Sequence, residues 1–424
     1  MNVGLRALLR FNRDTRLLIA TSGIFAISFY GIQMLLRVLY ILRLGRGPEY
    51  VGLFGAAAAL TYMSMGLPSG ALGKRFGVRR AMLAGGIVTI IGMALLPLTE
   101  YLPTWAQGVW PIVTQMVRTT GWSMFNVNLV PALMATTSGD QGSHADRNSA
   151  YAINSMLKGL GTFLGNVAGG ILPGLFAHML SQTLDMPGPY GSALWVGAVL
   201  GIVALIPLGR VGEIEQRAAE ERTETWGRFP MLPVALMVLH VYLSQGGWAT
   251  CQAFAGAYMD TVLALPAFAI GLVTGVGQFA ATLAPLLNPR LARHRGDGWT
   301  LMATALGTSV SLLPLALVPH WTAAAVGRVG VLALSAMWMP ALHVYQMERI
   351  EARWRSLAYG VVSMAMGFSF GSASLAGGYI IAAAGYRTLF LLGAGLSTAG
   401  AVLMWAILRR QDALRKTSVL CTSE

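Results

Sequence analysis

The sequence predicts an all-α integral membrane protein with twelve transmembrane helices in two pseudo-symmetric six-helix bundles, and three observations lead there. Charged residues make up only 11% of the 424-residue chain, less than half of the ~25% usual in soluble domains. Apolar residues, 55% of the total, gather into runs of roughly 17 to 28 residues, the length a helix needs to cross about 30 Å of hydrocarbon. The second half of the chain also repeats features of the first. The first two observations exclude an ordinary water-soluble enzyme.

The first span, 18–42, follows four arginines (Arg6, Arg10, Arg13 and Arg16) and so imitates a signal peptide. It is longer than such a segment's apolar region and no small-residue cleavage site follows it, so it reads as a retained helix. Spans 51–72, 82–98, 105–134, 150–176 and 193–208 complete the first bundle. The polar stretch 210–230 carries Glu213, Glu215, Glu220, Glu221 and Glu224 among arginines. It is too short to fold as a catalytic domain and reads as a linker. Spans 231–258, 266–287, 301–317, 323–345, 357–384 and 389–408 form the second bundle. The expected organisation is therefore an N-terminal bundle (1–210), a cytoplasmic linker (211–230) and a C-terminal bundle with a short cytoplasmic tail (231–424).

The net charge of +13 invites a nucleic-acid reading until the charges are placed. With the N-terminus inside, 23 of the 30 basic residues fall in cytoplasmic segments, and only Arg43, Arg46 and Arg387 fall on the opposite side. That asymmetry obeys the positive-inside rule and puts both termini in the cytoplasm of a multi-pass cell-membrane protein. The basic balance reflects topology and implies no nucleic-acid partner. Cys251 and Cys421 give neither a disulfide framework nor metal spacing. There is no GxxxxGK[ST] loop and no HExxH, so no cofactor, metal or enzymatic activity is expected, and energy must come from a gradient. The partners implied are a small-molecule substrate and the lipid bilayer. A monomer is expected, because each half buries its apolar faces against the other and against lipid.

A shift of 208 superposes Arg147, Ala150, Tyr151, Ser155, Met156, Gly159 and Ala168 to Gly170 on identical residues from Arg355 to Gly378, nine identities in 24 positions. A shift of 209 places Pro131 to Leu133 on Pro340 to Leu342, and a shift of 219 places Leu72 to Gly77 on Leu291 to Gly296. The halves read as parallel six-helix repeats around a cleft.

The loop Gly70-Ala71-Leu72-Gly73-Lys74-Arg75-Phe76-Gly77-Val78-Arg79-Arg80 resembles the G-x-L-A-D-R-x-G-R-K-x signature of the major facilitator superfamily, and Arg290 to Gly296 resembles a degenerate second copy. The resemblance covers nearly the whole chain. It implies the twelve-helix major facilitator fold and a loop whose charges latch the cytoplasmic helix ends. Lys74 stands where the family has aspartate; Gly70 and Gly77 are expected to allow tight helix packing. The run Gly161-Thr162-Phe163-Leu164-Gly165-Asn166-Val167-Ala168-Gly169-Gly170 is similar to the G-x-x-x-G-P-x-x-G-G motif of that family's antiporters and exporters, with Asn166 in place of proline. Gly161, Gly165 and Gly169, four apart, form a groove that admits a neighbouring helix, or simply a small-residue packing face.

Polar residues inside spans are costly in hydrocarbon and mark cavities or protein contacts. Helix four presents Gln115, Arg118, Thr119, Trp122 and Asn126 on one face, and helix five Tyr151, Asn154, Ser155, Lys158 and Thr162. Helix one offers Tyr30, Gln33 and Arg37, and helix seven His240, Ser244, Gln245 and Gln252. These stripes are expected to meet in the central cleft. Arg37, Arg118, Lys158 and Arg328 lie within spans, while no Asp or Glu does and Asp260 sits just past helix seven. The cleft should therefore attract an anion. Arg37 and Arg328 could instead snorkel to headgroups. Lys158 can lose and regain a proton as its surroundings dry and wet, which offers a route to coupling, and His240 could do the same or be a satisfied core histidine.

These readings converge on a secondary transporter working by alternating access, exporting a small anionic or amphipathic organic solute, proton-coupled if coupled. The competing expectation is an importer or uniporter of a neutral metabolite such as a sugar, held by Gln33, Gln115, Asn126, Asn154, Gln245 and Trp122. A non-transporting receptor or scaffold on the same fold is the remaining class.

Overall fold

The computed structural model describes residues 11–137, 144–214 and 230–421. Arg6, Arg10 and most of the 211–230 linker, with Glu215, Glu220, Glu221 and Glu224, lie outside the described residues. Among the described residues the architecture is helical, with no strand. The long helices are α1 (Arg13–Arg43), α2 (Pro48–Phe76), α3 (Val78–Leu95), α4 (Trp110–Thr137), α5 (His144–Met179), α6 (Gly188–Gly209), α7 (Met231–Thr261), α8 (Ala267–Leu283), α9 (Asp297–Leu317) and α10 (Trp321–Arg349), with short helices at Thr104–Gln107 and Asn288–Arg295. Residues 355–421 form one helical stretch broken at Gly385, whose φ is 79°; we denote 355–384 as α11 and 386–421 as α12. Nine helical stretches among the described residues are long and apolar enough to cross a membrane, the last of them containing both α11 and α12.

Each span expected from hydropathy falls largely on one of these helices, and most helices run past at least one of its ends; spans 82–98 and 266–287 continue instead into the 3₁₀ turns Leu96–Tyr101 and Ala284–Leu287. The apolar run marks the hydrocarbon-length part, whereas helical hydrogen bonding continues into polar ends. Span 105–134 departs at its start, since the chain turns at Gly108 and Val109 before α4 begins. Pro48 at the first turn starts α2, where its missing N–H costs nothing. Gly77 ends α2 with φ 90°, and Gly296 precedes α9 with φ 79°. Both positive values favour glycine, and the two residues are related by the 219-residue shift, so the repeat is visible in the backbone as well as in the sequence.

Two units separate by their internal packing: Met1–Glu221 with Gly256–Phe279, and Arg222–Ala255 with Ala280–Glu424. The first is built around Phe25, Phe29, Met82, Met93, Trp122 and Phe125. In it α3 and α4 approach through glycine: a Cβ on Gly92 would overlap the Arg118 backbone, and one on Gly121 would meet Thr89. That fit fixes the backbone carrying Arg118 and Trp122. The second unit is built around Val241, Leu301, Trp338, Leu342, Tyr345 and Met404.

Candidate functional site

The site in the first unit starts from an irregularity of α1. Residues Ala26–Gln33 form a π-helix eight residues long, a rare, widened conformation frequent at functional sites. The segment is pressed against the glycine face of α5. Gly31 lies on the Gly165 backbone, Gly165 also meets the Ile27 carbonyl, and Gly161 meets the Gly23 carbonyl, each too closely for an added side chain, while Gly169 lies tightly against Ile32. The neighbour admitted by the α5 groove is therefore α1. The last glycine of the run faces elsewhere: Gly170 packs on Ala267 and Phe268 of α8, and Gly271 on the Asn166 carbonyl. Asn166, in the place of the motif's proline, donates from Nδ2 to the Thr162 carbonyl at 2.8 Å, and its Oδ1 is buried without a partner among the described residues.

The π segment carries Phe29 and Tyr30 to either side of Trp122. Phe29 stacks on Trp122 with ring centroids 4.0 Å apart and planes 17° from parallel, and Tyr30 meets it edge-on at 5.2 Å. Each end of this aromatic group bears a cation. The Arg118 guanidinium carbon lies 4.3 Å from the Phe29 ring centre, and Lys158 Nζ lies 5.8 Å from that of Tyr30. Such contacts contribute about 0.5–2 kcal/mol, increasing as water is excluded. Arg118 is buried, while Lys158 is half-buried. Beyond Lys158 toward the α5 amino terminus, Ser155 and Tyr151 line a cleft of about 430 Å³ with Leu133, Met134 and Thr137 of α4. Lys158 thus stands one turn from the cleft wall, on the same helix face as Ser155.

The other residues expected in the site separate into groups. Arg118 Nε donates to Gln115 Oε1 at 3.1 Å, and Gln33 donates to the Leu194 carbonyl at 2.7 Å. Asn126 donates to the Tyr62 hydroxyl at 3.0 Å, and buried Asn154 has an unpartnered Oδ1. Arg37 is 9% and Arg328 4% exposed, so neither snorkels; Arg328 donates to the Cys251 carbonyl. His240 and Gln245 belong to the second unit. His240 is fully buried, and its Nδ1 donates to the Gly400 carbonyl at 2.9 Å. Its Nε2 is buried with no hydrogen-bond partner among the described residues, so the ring is only half satisfied.

Two sequence expectations are corrected. Asp260 does not sit past α7 but within its last turn, where its carboxylate is 4% exposed and accepts two hydrogen bonds of 2.7 Å from Arg43. The apolar run ends before it because the ion pair, not hydropathy, holds that turn. Arg43 also donates to the Leu184 carbonyl at 2.8 Å and lies over the Tyr190 ring. The sequence left this carboxylate without a partner; an acid at one span end and an arginine at the end of another were the available signal. Residues 70–76, read from the sequence as part of a loop, are the last two turns of α2, and Gly77 is the single residue between it and α3; neither Gly70 nor Gly77 makes a tight contact. Gly77 acts through its φ, and the packing glycine is Gly73, seated on the Asn128 side chain. Lys74 and Arg75 are exposed. Arg79 donates to the Gly209 carbonyl at the end of α6, and Arg80 pairs with Glu213 at 3.2 Å, so the first turn of α3 grips the exit of α6.

The description of the Major Facilitator Superfamily matches residues 18–296 and 236–419. An uncharacterized MFS-type transporter of Mycobacterium tuberculosis strain H37Rv is 25% identical, over 97% of this chain and 96% of its own. Among solved structures, a variant of the nucleoside transporter NupG superposes with a TM-score of 0.75 at 14% identity, covering 93% of this chain and 99% of its own. A D-xylose-proton symporter gives 0.71 at 15% identity, with 92% and 97% covered. These likenesses establish a shared fold.

Proposed function

This chain belongs to the Major Facilitator Superfamily, and on that premise we propose that this multi-pass secondary transporter exports a small organic solute, anionic or amphipathic, by alternating access. The observation that carries the charge of the cargo is the pairing of Lys158 and Arg118 across the Phe29–Trp122–Tyr30 group. No acidic residue interrupts the middle of α1, α4 or α5. A buried cation without a carboxylate neighbour favours an anion that sheds its water there, and the aromatic faces suit an apolar body attached to it. The cleft beside Tyr151 and Ser155 is the approach we assign to the cargo, and the basic loops favour a cytoplasmic location for that side and for both termini of a cell-membrane protein. Export follows from the likeness of the α5 motif to that of the family's exporters. Lys158, entering and leaving a dry environment, is the group we assign to any proton coupling.

A second reading has its own support: Gln115 and Asn154 each keep a buried amide atom without a partner, as a neutral polyol site would need, and the D-xylose-proton symporter shares the fold. Proteoliposomes preloaded with organic acids or with sugars separate the two by counterflow. Lys158→Ala and Arg118→Ala are each expected to abolish flux of the acid while leaving a monodisperse, helical protein. Undiminished flux in both variants, or counterflow with sugars alone, overturns the anionic reading.

A further inference from the structure

The proposed cargo site has a polar end that its cations do not explain. Asn126 stands four residues beyond Trp122, one turn and about 6 Å along α4. Its Nδ2 donates to the Tyr62 hydroxyl of α2 at 3.0 Å. That bond commits the amino end of the amide and leaves Oδ1 as the acceptor it presents. No hydrogen bond from the described residues reaches Oδ1, and the side chain is half-buried, so the oxygen is accessible. Tyr62 is itself 36% exposed, and the direction it faces can be read from its own helix. Leu60 and Leu67, 60% and 89% exposed, lie two and five residues away, roughly opposite Tyr62 on a helix of about 3.6 residues per turn. Those leucines suit hydrocarbon. A tyrosine–asparagine pair would be costly there, and it sits instead on the other side of α2, against the Trp122 face of α4.

These groups follow one another in space. Lys158 Nζ lies 5.8 Å from the Tyr30 ring centre, the Tyr30 and Trp122 ring centres are 5.2 Å apart, and Asn126 comes one turn later. Lys158, Tyr30 and Asn126 are all half-buried, so the row keeps an open side along which a molecule can lie. A cation, an aromatic surface and a carbonyl acceptor in that order match an anionic group, an apolar ring and a hydrogen-bond donor at the far end. A ligand without that donor displaces water from Oδ1 and leaves it unpaired, which is how a polar site rejects an analogue lacking one hydroxyl. Resting on the anionic reading above, we infer that Asn126, positioned by Tyr62, is a specificity determinant that selects aryl carboxylates bearing a hydroxyl at the end remote from the carboxylate. Asn126 meets the hydroxyl, and Tyr62 acts only through Asn126.

The test is counterflow in proteoliposomes holding the full chain, with labelled phenylpropionate and its para-hydroxy derivative as probes. The hydroxylated acid is expected to show a kcat/KM about tenfold higher than its parent acid. Asn126→Ala should bring that ratio close to one, and Tyr62→Phe, which keeps the ring and removes the hydroxyl, should lower it at least about threefold. A purely structural role would reduce both fluxes together and leave the ratio where it was. If Asn126→Ala does not purify folded, Tyr62→Phe decides. Equal transport of the two acids by the unaltered protein, or an unchanged ratio in either folded variant, overturns the inference and leaves the anionic cargo standing. Absence of flux of both acids also overturns it, and where sugars move instead the anionic reading falls with it.

Discussion

Trp122 shows how one side chain joins packing to function. It stacks on Phe29, meets Tyr30 edge-on and touches Phe25 and Phe125, so it both fills the first unit's core and spaces the two cations. Replacing a buried tryptophan by alanine costs about 3–5 kcal/mol. Trp122→Ala is therefore expected to lower the melting temperature in detergent, whereas Trp122→Phe should recover most of the stability; equal melting of the alanine variant and the parent would show that the ring is not core. On the sequence, Trp122 was one of five polar or aromatic residues on a single stripe of helix four. The stripe was legible because helical spacing puts 115, 118, 122 and 126 on one face. Its division was not: Arg118 is buried on Phe29 while Asn126 turns to Tyr62, and that depends on which neighbour each turn meets.

Among elements, α1 and α5 form the tightest partnership the sequence half-disclosed. Glycines at 161, 165 and 169 announced a groove, but nothing in the α1 sequence announced a π segment over Ala26–Gln33. Its apolar spacing is compatible with an ordinary α-helix, and the extra width is fixed only when Gly31 meets Gly165. Gly165→Val should therefore separate the helices and sharply reduce folded yield, whereas Gly174→Ala, on the same helix with no heavy atom near its missing side chain, should be tolerated. Size-exclusion profiles and thermal melts of the two would compare them directly, and equal behaviour would refute the packing argument. The repeat offers a parallel case. Asn128 on α4 donates to the Ser69 carbonyl, and Asn288, at the position the 219-residue shift assigns to Ser69, donates to the Met337 carbonyl on α10. The contact between equivalent helices persists while donor and acceptor change sides, which residue-by-residue comparison of the halves could not display.

For the whole molecule, the Arg43–Asp260 pair joins the end of α1 to the last turn of α7, segments 217 residues apart. Hydrogen bonds to charged groups contribute about 1.5–3 kcal/mol each when made, and a buried carboxylate stripped of its partner is costly. Arg43→Ala and Asp260→Asn should each lower thermal stability, and the double variant should lose less than the sum of the two. Additive losses in that cycle would show that the pair carries no coupling.

Composition, apolar run length and basic asymmetry determined by themselves that the chain is a helical, duplicated, membrane-spanning protein, because those properties depend on solvent transfer along the chain and need no knowledge of which helix touches which. They likewise put cations without mid-helix acids into α1, α4 and α5. Only the tertiary structure decided that Arg37 and Arg328 are buried instead of reaching the headgroups, that Asp260 is neutralised by Arg43, and that His240 gives Nδ1 to a backbone carbonyl while its Nε2 is buried without a partner among the described residues. Each of those outcomes is set by a partner distant in sequence, and the energy of a buried charge is determined by what lies within a few ångströms of it.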